Sequence, residues 1–182
     1  MRHELNFWVL GGDMRQGKLA QLLAEDGHRV HTYALEDGAV PAPGLTAEPG
    51  LSGVEQADCV VLPLPVSSGG RLLNAPLSRL SPPITEVLAP LSPGQMLCGG
   101  RVDPVTAALA AERGLTIRDY FAREELAVAN AVPTAEGAIQ LAMEHLPITI
   151  HGARVLVVGF GRVGRLTAQR FQALGAKVSV AA

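Results

Sequence analysis

Short apolar runs alternate along the chain with stretches whose apolar residues recur three or four apart. Leu5–Leu10 is a mostly apolar run that stops at Gly11-Gly12. Leu19, Leu22 and Leu23 then fall at helical spacing within Lys18–Glu25. Gly27 punctuates that helix, and Arg29–Ala34 reads as a second strand. Glu36–Gly53 is rich in Pro and Gly and is expected to be loop with at most one short strand. Asp58–Leu64 is a continuous apolar strand, Val66–Pro83 a second loop, Ile84–Leu91 a short helix and Gln95–Gly99 another strand. Asp103-Pro104 opens a helix that Gly114 closes, because Asp accepts free N–H groups and Pro suits the first helical position. Leu115–Arg118 is a further strand. This alternation predicts parallel β-α-β units with right-handed crossovers. Residues 1 to 120 should therefore form a doubly wound parallel-sheet α/β domain.

The second part is less regular. Tyr120–Val132 shows no clear period, and Thr134 is expected to cap a helix running to Leu146 with Ile139, Ala142, Met143 and Leu146 as its buried stripe. Arg154–Val158 is a strand, Gly159–Gly164 a glycine loop, Arg165–Leu174 a helix and Lys177–Ala181 a strand. That is the first β-α-β of a Rossmann NAD(P)-binding domain, which ordinarily continues to about six strands. A lone unit cannot cover both faces of parallel strands, so the sequence is expected to be cut within that domain. The division expected is a substrate and catalytic domain over 1–132, a helix and linker over 133–151, and an incomplete dinucleotide-binding unit over 152–182.

Composition narrows the function. The chain has 182 residues, 48% hydrophobic and 18% charged, which excludes a disordered or fibrous protein. Fifteen basic residues against 17 acidic ones, with six Phe or Tyr in all, give no basic surface and no stacking platform for nucleic acid. Val155–Val158, among the longest apolar runs, is far shorter than the roughly 18 residues of a membrane span. The N-terminal run is too short for a signal-peptide core. Cys59 and Cys98 sit in apolar runs and read as free thiols, and the five histidines, His145 and His151 included, are scattered rather than spaced as metal ligands. A cytoplasmic protein is expected, with no metal, no nucleic acid and no membrane. A homo-oligomer through exposed sheet edges is possible.

Two strand-to-helix corners carry chemistry. In Gly159-Phe160-Gly161-Arg162-Val163-Gly164 the first glycine permits the turn, the second lets the backbone approach a pyrophosphate at the helix N-terminus, and the third lets helix and strand pack closely. The residue that would discriminate NAD from NADP, about 20 residues on, falls beyond Ala182. In Gly11-Gly12-Asp13-Met14-Arg15-Gln16 the third glycine is missing; an acid beside an arginine suits a small-molecule site, with Arg15 able to grip a carboxylate and Asp13 to cap the helix. Three clusters fall on the same predicted edge: Leu62–Gly69, with Pro65 and Ser67; Cys98–Arg101, with Gly100 and Arg101; and Asp119–Glu125, with Tyr120, Arg123 and Glu124.

Taken together, GGDMRQ at Gly11–Gln16, LPLPVSSGG at Leu62–Gly70, DYFAREELAVANAVPTAEGAI at Asp119–Ile139 and the glycine segment after Arg154 make the chain resemble the A subunits of dipicolinate synthase, in order over its whole length. The resemblance implies an oxidoreductase that uses NADP or NAD and acts on a cyclic dicarboxylate, a 4-hydroxy-tetrahydrodipicolinate. Loss of water and a hydride transfer leave dipicolinate, the calcium-chelating diacid of bacterial spores. It also implies a partner, the B subunit of dipicolinate synthase, and the mother cell of a sporulating bacterium. The substrate's two carboxylates point to Gly12, Arg15, Gln16, Pro65, Ser67, Gly100, Arg101, Arg123 and Thr134 as binding candidates. Dehydration needs an acid and a base, for which Asp13, Tyr120, Glu124 and Glu136 are candidates that spacing does not rank. Another dehydrogenase of 2-oxo or 2-hydroxy acids, or a non-catalytic assembly module, stays open on the residues alone.

Overall fold

The computed structural model describes residues 4–38 and 42–182; residues 1–3, and 39–41 of the segment expected to be loop, lie outside the described residues. The chain divides into two compact units, Met1–Ala122 and Arg123–Ala182.

The first unit runs β1 (Asn6–Leu10), α1 (Met14–Glu25), β2 (Arg29–Tyr33), β3 (Leu45–Ala47), a 3-10 turn at Val54–Gln56, β4 (Cys59–Val61), β5 (Ser67–Ser68), β6 (Leu72–Leu73), α2 (Ile84–Leu88), β7 (Met96–Gly99), α3 (Pro104–Ala111), β8 (Ile117–Asp119) and a 3-10 turn at Tyr120–Ala122. Six strands form one sheet in the order β3-β2-β1-β4-β7-β8, and every neighbouring pair is parallel. That is the Rossmann-like doubly wound order, reversing direction between β1 and β4.

Strand alternation sends neighbouring residues to opposite faces, and both faces are covered. Trp8, Leu10, Val60, Leu62 and Leu97 pack with Ile84, Val87 and Leu88 of α2 and Ala110 of α3. Val9, Val30, Cys59 and Val61 pack with Ala20 and Ala24 of α1. Burial on both faces is why the β4 segment reads as one apolar run rather than an alternating one. Its ladder nonetheless ends at Val61, short of the expected Leu64, because Pro63 and Pro65 have no N–H to give. The antiparallel β5–β6 hairpin lies inside a segment expected to be loop.

The second unit runs α4 (Glu124–His145), β9 (Arg154–Val158), α5 (Arg162–Ala173) and β10 (Lys177–Ala181). β9 and β10 pair in parallel, Val155 opposite Val178. Ile150, Phe171 and Ala176 form its core, with Ile139, Ala142, Val155 and Val178 packed against them. The other face of the strands is open: Leu156 is 64% and Val158 81% exposed.

Helix α4 begins ten residues before the expected start at Thr134 and takes up 133–145 of the expected linker. Glu124 and Glu125 sit in its first turn, where they complement the helix dipole, and an alanine-rich run carries it past Pro133. Thr134 is therefore not a cap; it lies mid-helix and its hydroxyl donates to the Asn130 carbonyl at 2.8 Å. The buried stripe is Ala131, Ala135, Ile139 and Ala142, whereas Met143 and Leu146 are exposed.

Candidate functional site

In doubly wound sheets ligands bind beyond the carboxyl ends of the strands where the order reverses. Here that point is framed by the turn after β1 and the loop after β4. Gly12 has φ +94°, and a Cβ on it would collide with the Gln16 side chain and lie 3.2 Å from Pro63. The Gly12 N–H donates to the Asn74 carbonyl at 2.8 Å. Asp13 is the N-cap of α1: its carboxylate accepts from Arg15 N–H at 2.9 Å. It also accepts from the Arg15 guanidinium, with Nε 3.0 Å from Oδ1 and Nη2 2.8 Å from Oδ2. Arg15 Nη2 reaches the Leu64 carbonyl at 3.2 Å, tying the β1 turn to the β4 loop. The Arg15 hydrogen bonds hold the Asp13 carboxyl below its ordinary pKa despite partial burial. Gln16 is buried, and its Nε2 has no hydrogen-bond partner among the described residues.

β7 and β8 bring the other pieces. A Cβ on Gly100 would lie 2.6 Å from the Tyr120 ring and 2.9 Å from Leu64, so the ring seats where only glycine fits. Tyr120 Oη donates to the Leu62 carbonyl at 3.2 Å. Burial pushes its pKa up to about 12, so the phenol is neutral at ordinary pH. The structure thus gathers Gly12, Asp13, Arg15, Gln16, Gly100 and Tyr120 around the switch point, and the Pro65 carbonyl accepts from Asn74 Nδ2 at 3.1 Å. Arg101 follows on an exposed left-handed residue (φ 52°), its N–H held by Asp119 at 3.0 Å. Ser67 turns the other way: its hydroxyl donates to Asp103 at 2.5 Å, and that carboxylate also caps α3 through Thr106 N–H at 2.9 Å. Burial raises the Asp103 carboxyl, but the bonds from Ser67 and Thr106 outweigh it and leave the pKa lowered.

Arg123, Glu124, Thr134, Glu136 and the glycine loop belong to the second unit. Gly159 has φ +95°, and a Cβ on Gly164 would collide with the Gly159 carbonyl, so both glycines answer to the local backbone. Gly161 answers to neither demand: its φ is −76° and no described residue lies within 4 Å of where its Cβ would be. It is the N-cap of α5 and supplies no side chain to the helix N-terminus. Phe160 and Val163 are exposed beside it, and the Arg165 guanidinium lies 5.2 Å from the Phe160 ring centroid. Arg162 grips Glu124 with two hydrogen bonds, Nε to Oε1 at 2.8 Å and Nη2 to Oε2, which keep the Glu124 carboxyl below its usual pKa. Glu136 pairs with Arg170 at 3.4 Å, and Arg123 lies 3.7 Å from Glu125.

Residues 6–121 match the family model of the N-terminal domain of the dipicolinate synthase A subunit. The chain belongs to the family of dipicolinate synthase A subunits. It is 30% identical over 185 residues to the dipicolinate synthase A subunit of Bacillus subtilis (strain 168), a match spanning 98% of this chain and 61% of that protein. The crystal structure of the dipicolinate synthase A subunit from Bacillus halodurans matches with a TM-score of 0.83 at 27% identity, over 98% of this chain and 62% of that one. The crystal structure of its counterpart from Bacillus subtilis matches with a TM-score of 0.77 at 28% identity, over 99% and 61%. The chain thus spans about three fifths of the length of these relatives. The whole switch-point cluster lies within the N-terminal domain that the dipicolinate synthase family model covers; the glycine loop follows it.

Sequence reasoning missed Asn74, the Leu62 and Leu64 carbonyls, and Asp103 as a partner of Ser67. Asn74 lies in a polar loop with no periodic signal, and backbone carbonyls carry no side-chain signature. Asp103 was legible as a cap, but its second bond spans 36 positions and needs the fold.

Proposed function

We propose that this chain handles substrate and cofactor in dipicolinate synthase: an NAD(P)-dependent oxidoreductase that converts 4-hydroxy-tetrahydrodipicolinate to dipicolinate, with the synthase's B subunit as partner, in the cytoplasm of a sporulating bacterial cell. The observation that carries the reading is Gly161. Its Cβ position opens on free space at an uncapped helix N-terminus, and no packing demand explains a glycine there. A pyrophosphate needs that combination of close backbone approach and free N–H groups. Gly159, Phe160, Gly161, Arg162, Val163 and Gly164 fit NAD or NADP in this way. The bound nicotinamide supplies the hydride acceptor.

The chain's own groups bind and move protons. Arg15 and Arg101 of the first unit are cations suited to the two substrate carboxylates. Converting the hydroxy acid to the pyridine diacid requires loss of one water, then removal of a hydride and a proton. Asp13, Glu124 and Glu136 are each engaged by an arginine. Asp13 and Glu124 are held ionised in this way, which disfavours them as proton donors. Tyr120 keeps its proton at neutral pH and, once its O–H turns from the Leu62 carbonyl, is the candidate donor to the departing hydroxyl.

The test is made on the protein expressed from its complete gene. NADPH and NADH are titrated by fluorescence, and dipicolinate formation is followed by absorbance with and without the B partner. Saturable cofactor binding and growth of the pyridine signal are expected. No turnover under either condition rejects the proposal.

A further inference from the structure

Three of the five N–H groups of Arg15 are spoken for. Nε–H is shared by both Asp13 carboxylate oxygens, at 3.0 and 3.1 Å, and the two Nη2 hydrogens go to Asp13 Oδ2 at 2.8 Å and the Leu64 carbonyl at 3.2 Å. Nη1 has no acceptor among the described residues, and the side chain is 56% exposed. The guanidinium is thus clamped along one edge by the cap of α1 and the loop after β4, with its remaining edge free. A second donor on the same turn is also unspent: Gln16 is 6% exposed, packs over Gly12, and its Nε2 has no partner among the described residues.

We infer that Asp13 is a positioning residue, which fixes Arg15 so that Nη1 meets a carboxylate of the ring diacid; it is not the acid or base of the reaction. The inference rests on the substrate reading above and deepens it. A clamped fork loses less freedom on binding than a mobile arginine, so Asp13 acts on affinity rather than on chemistry. A carboxylate that is itself bidentate to a guanidinium has no free proton to give and is a weakened base.

The experiment is a cycle on the complete protein with Asp13→Asn, Arg15→Lys and the double variant. Asparagine keeps an oxygen for the helix cap while removing the charged clamp. Binding of dipicolinate itself is measured by calorimetry, beside KM and kcat for turnover. Asp13→Asn should weaken dipicolinate binding and raise KM about tenfold, with kcat within threefold of the parent, a loss of one charge-assisted contact. Arg15→Lys should do the same, and adding Asp13→Asn to it should change little, because Asp13 acts through Arg15. A hundredfold fall in kcat at unchanged KM overturns the inference in favour of acid–base chemistry. Unchanged binding and turnover overturn it in favour of a cap alone. If the parent protein turns over and only these patterns fail, the inference falls by itself; if the parent neither binds dipicolinate nor turns over, the substrate reading falls and takes the inference with it.

Discussion

The two glycine corners of this chain solve the same geometric problem with opposite outcomes. Each carries a parallel strand into a helix through a left-handed glycine, Gly12 (φ +94°) in the first unit and Gly159 (φ +95°) in the second. In the first, the space beyond the glycines is filled by protein: Gln16 and Pro63 crowd Gly12, and a Cβ on Gly11 would lie 2.9 Å from the Asn74 carbonyl. The positive end of α1 already holds an anion, the Asp13 carboxylate. In the second, Gly159 and Gly161 face open space and α5 has no side-chain cap. A helix N-terminus attracts one negative group. Where the sequence supplies it, the corner presents a side-chain site; where it does not, the helix N-terminus is left uncapped, which is what the proposed cofactor reading rests on. One aspartate in place of a glycine makes that difference.

If the contrast holds, replacing each glycine should report a different constraint. The largest effect belongs to Gly164→Ala. The added methyl collides with the Gly159 carbonyl, which is backbone and cannot rotate aside. Overpacking of this kind costs about 3 kcal/mol. A thermal melt followed by hydrogen exchange should show the second unit opening early with the first unit's protection retained; uniform loss across both units would contradict the assignment.

Gly12→Ala comes next. Of its contacts only Gln16 Cγ can turn aside; Gln16 Cβ at 3.0 Å and Pro63 at 3.2 Å must give by a few tenths of an ångström, and with the left-handed backbone the penalty is about 2 kcal/mol. Urea unfolding should find it milder than Gly164→Ala, and equal losses would mean that the first corner is as rigid as the second.

Gly161→Ser separates stability from binding. Its backbone (φ −76°, ψ −164°) suits a serine N-cap, so stability should hold or rise by about 0.3 kcal/mol. On the proposed cofactor reading the hydroxymethyl group would stand where a pyrophosphate comes close, and NAD(P)H affinity should fall about tenfold, or 1.4 kcal/mol. A variant that binds cofactor normally would show that this loop is only a turn.

Much of this contrast was legible before the fold was known. GGDMRQ lacks the third glycine and offers an acid at the capping position, while GFGRVG has all three glycines and no capping side chain. Strand and helix order was legible from periodicity because both sheet faces are buried. What periodicity could not deliver depends on distance in sequence. The start of α4 was lost because Tyr120–Val132 shows no clear apolar period, and the clamp on Arg15 because Leu64 lies 49 positions away. The candidate acids could not be ranked until the arginines that face Asp13, Glu124 and Glu136 were located.

The smallest effect tests whether the first corner's anion works through its charge. Asp13→Ala removes the cap and should destabilise by about 1 kcal/mol at neutral pH. The folded pKa of Asp13 is lowered, chiefly by the Arg15 hydrogen bonds, below the unfolded value of 3.8. A depressed carboxyl contributes its full stabilisation above the unfolded pKa and loses it as pH falls through the folded one. Parent and variant should therefore differ in urea melts at pH 7 and converge below pH 3.8. A gap that stays constant into acid would mean that the aspartate caps α1 by hydrogen bonding alone, and that its negative charge is not what closes this corner to a phosphate.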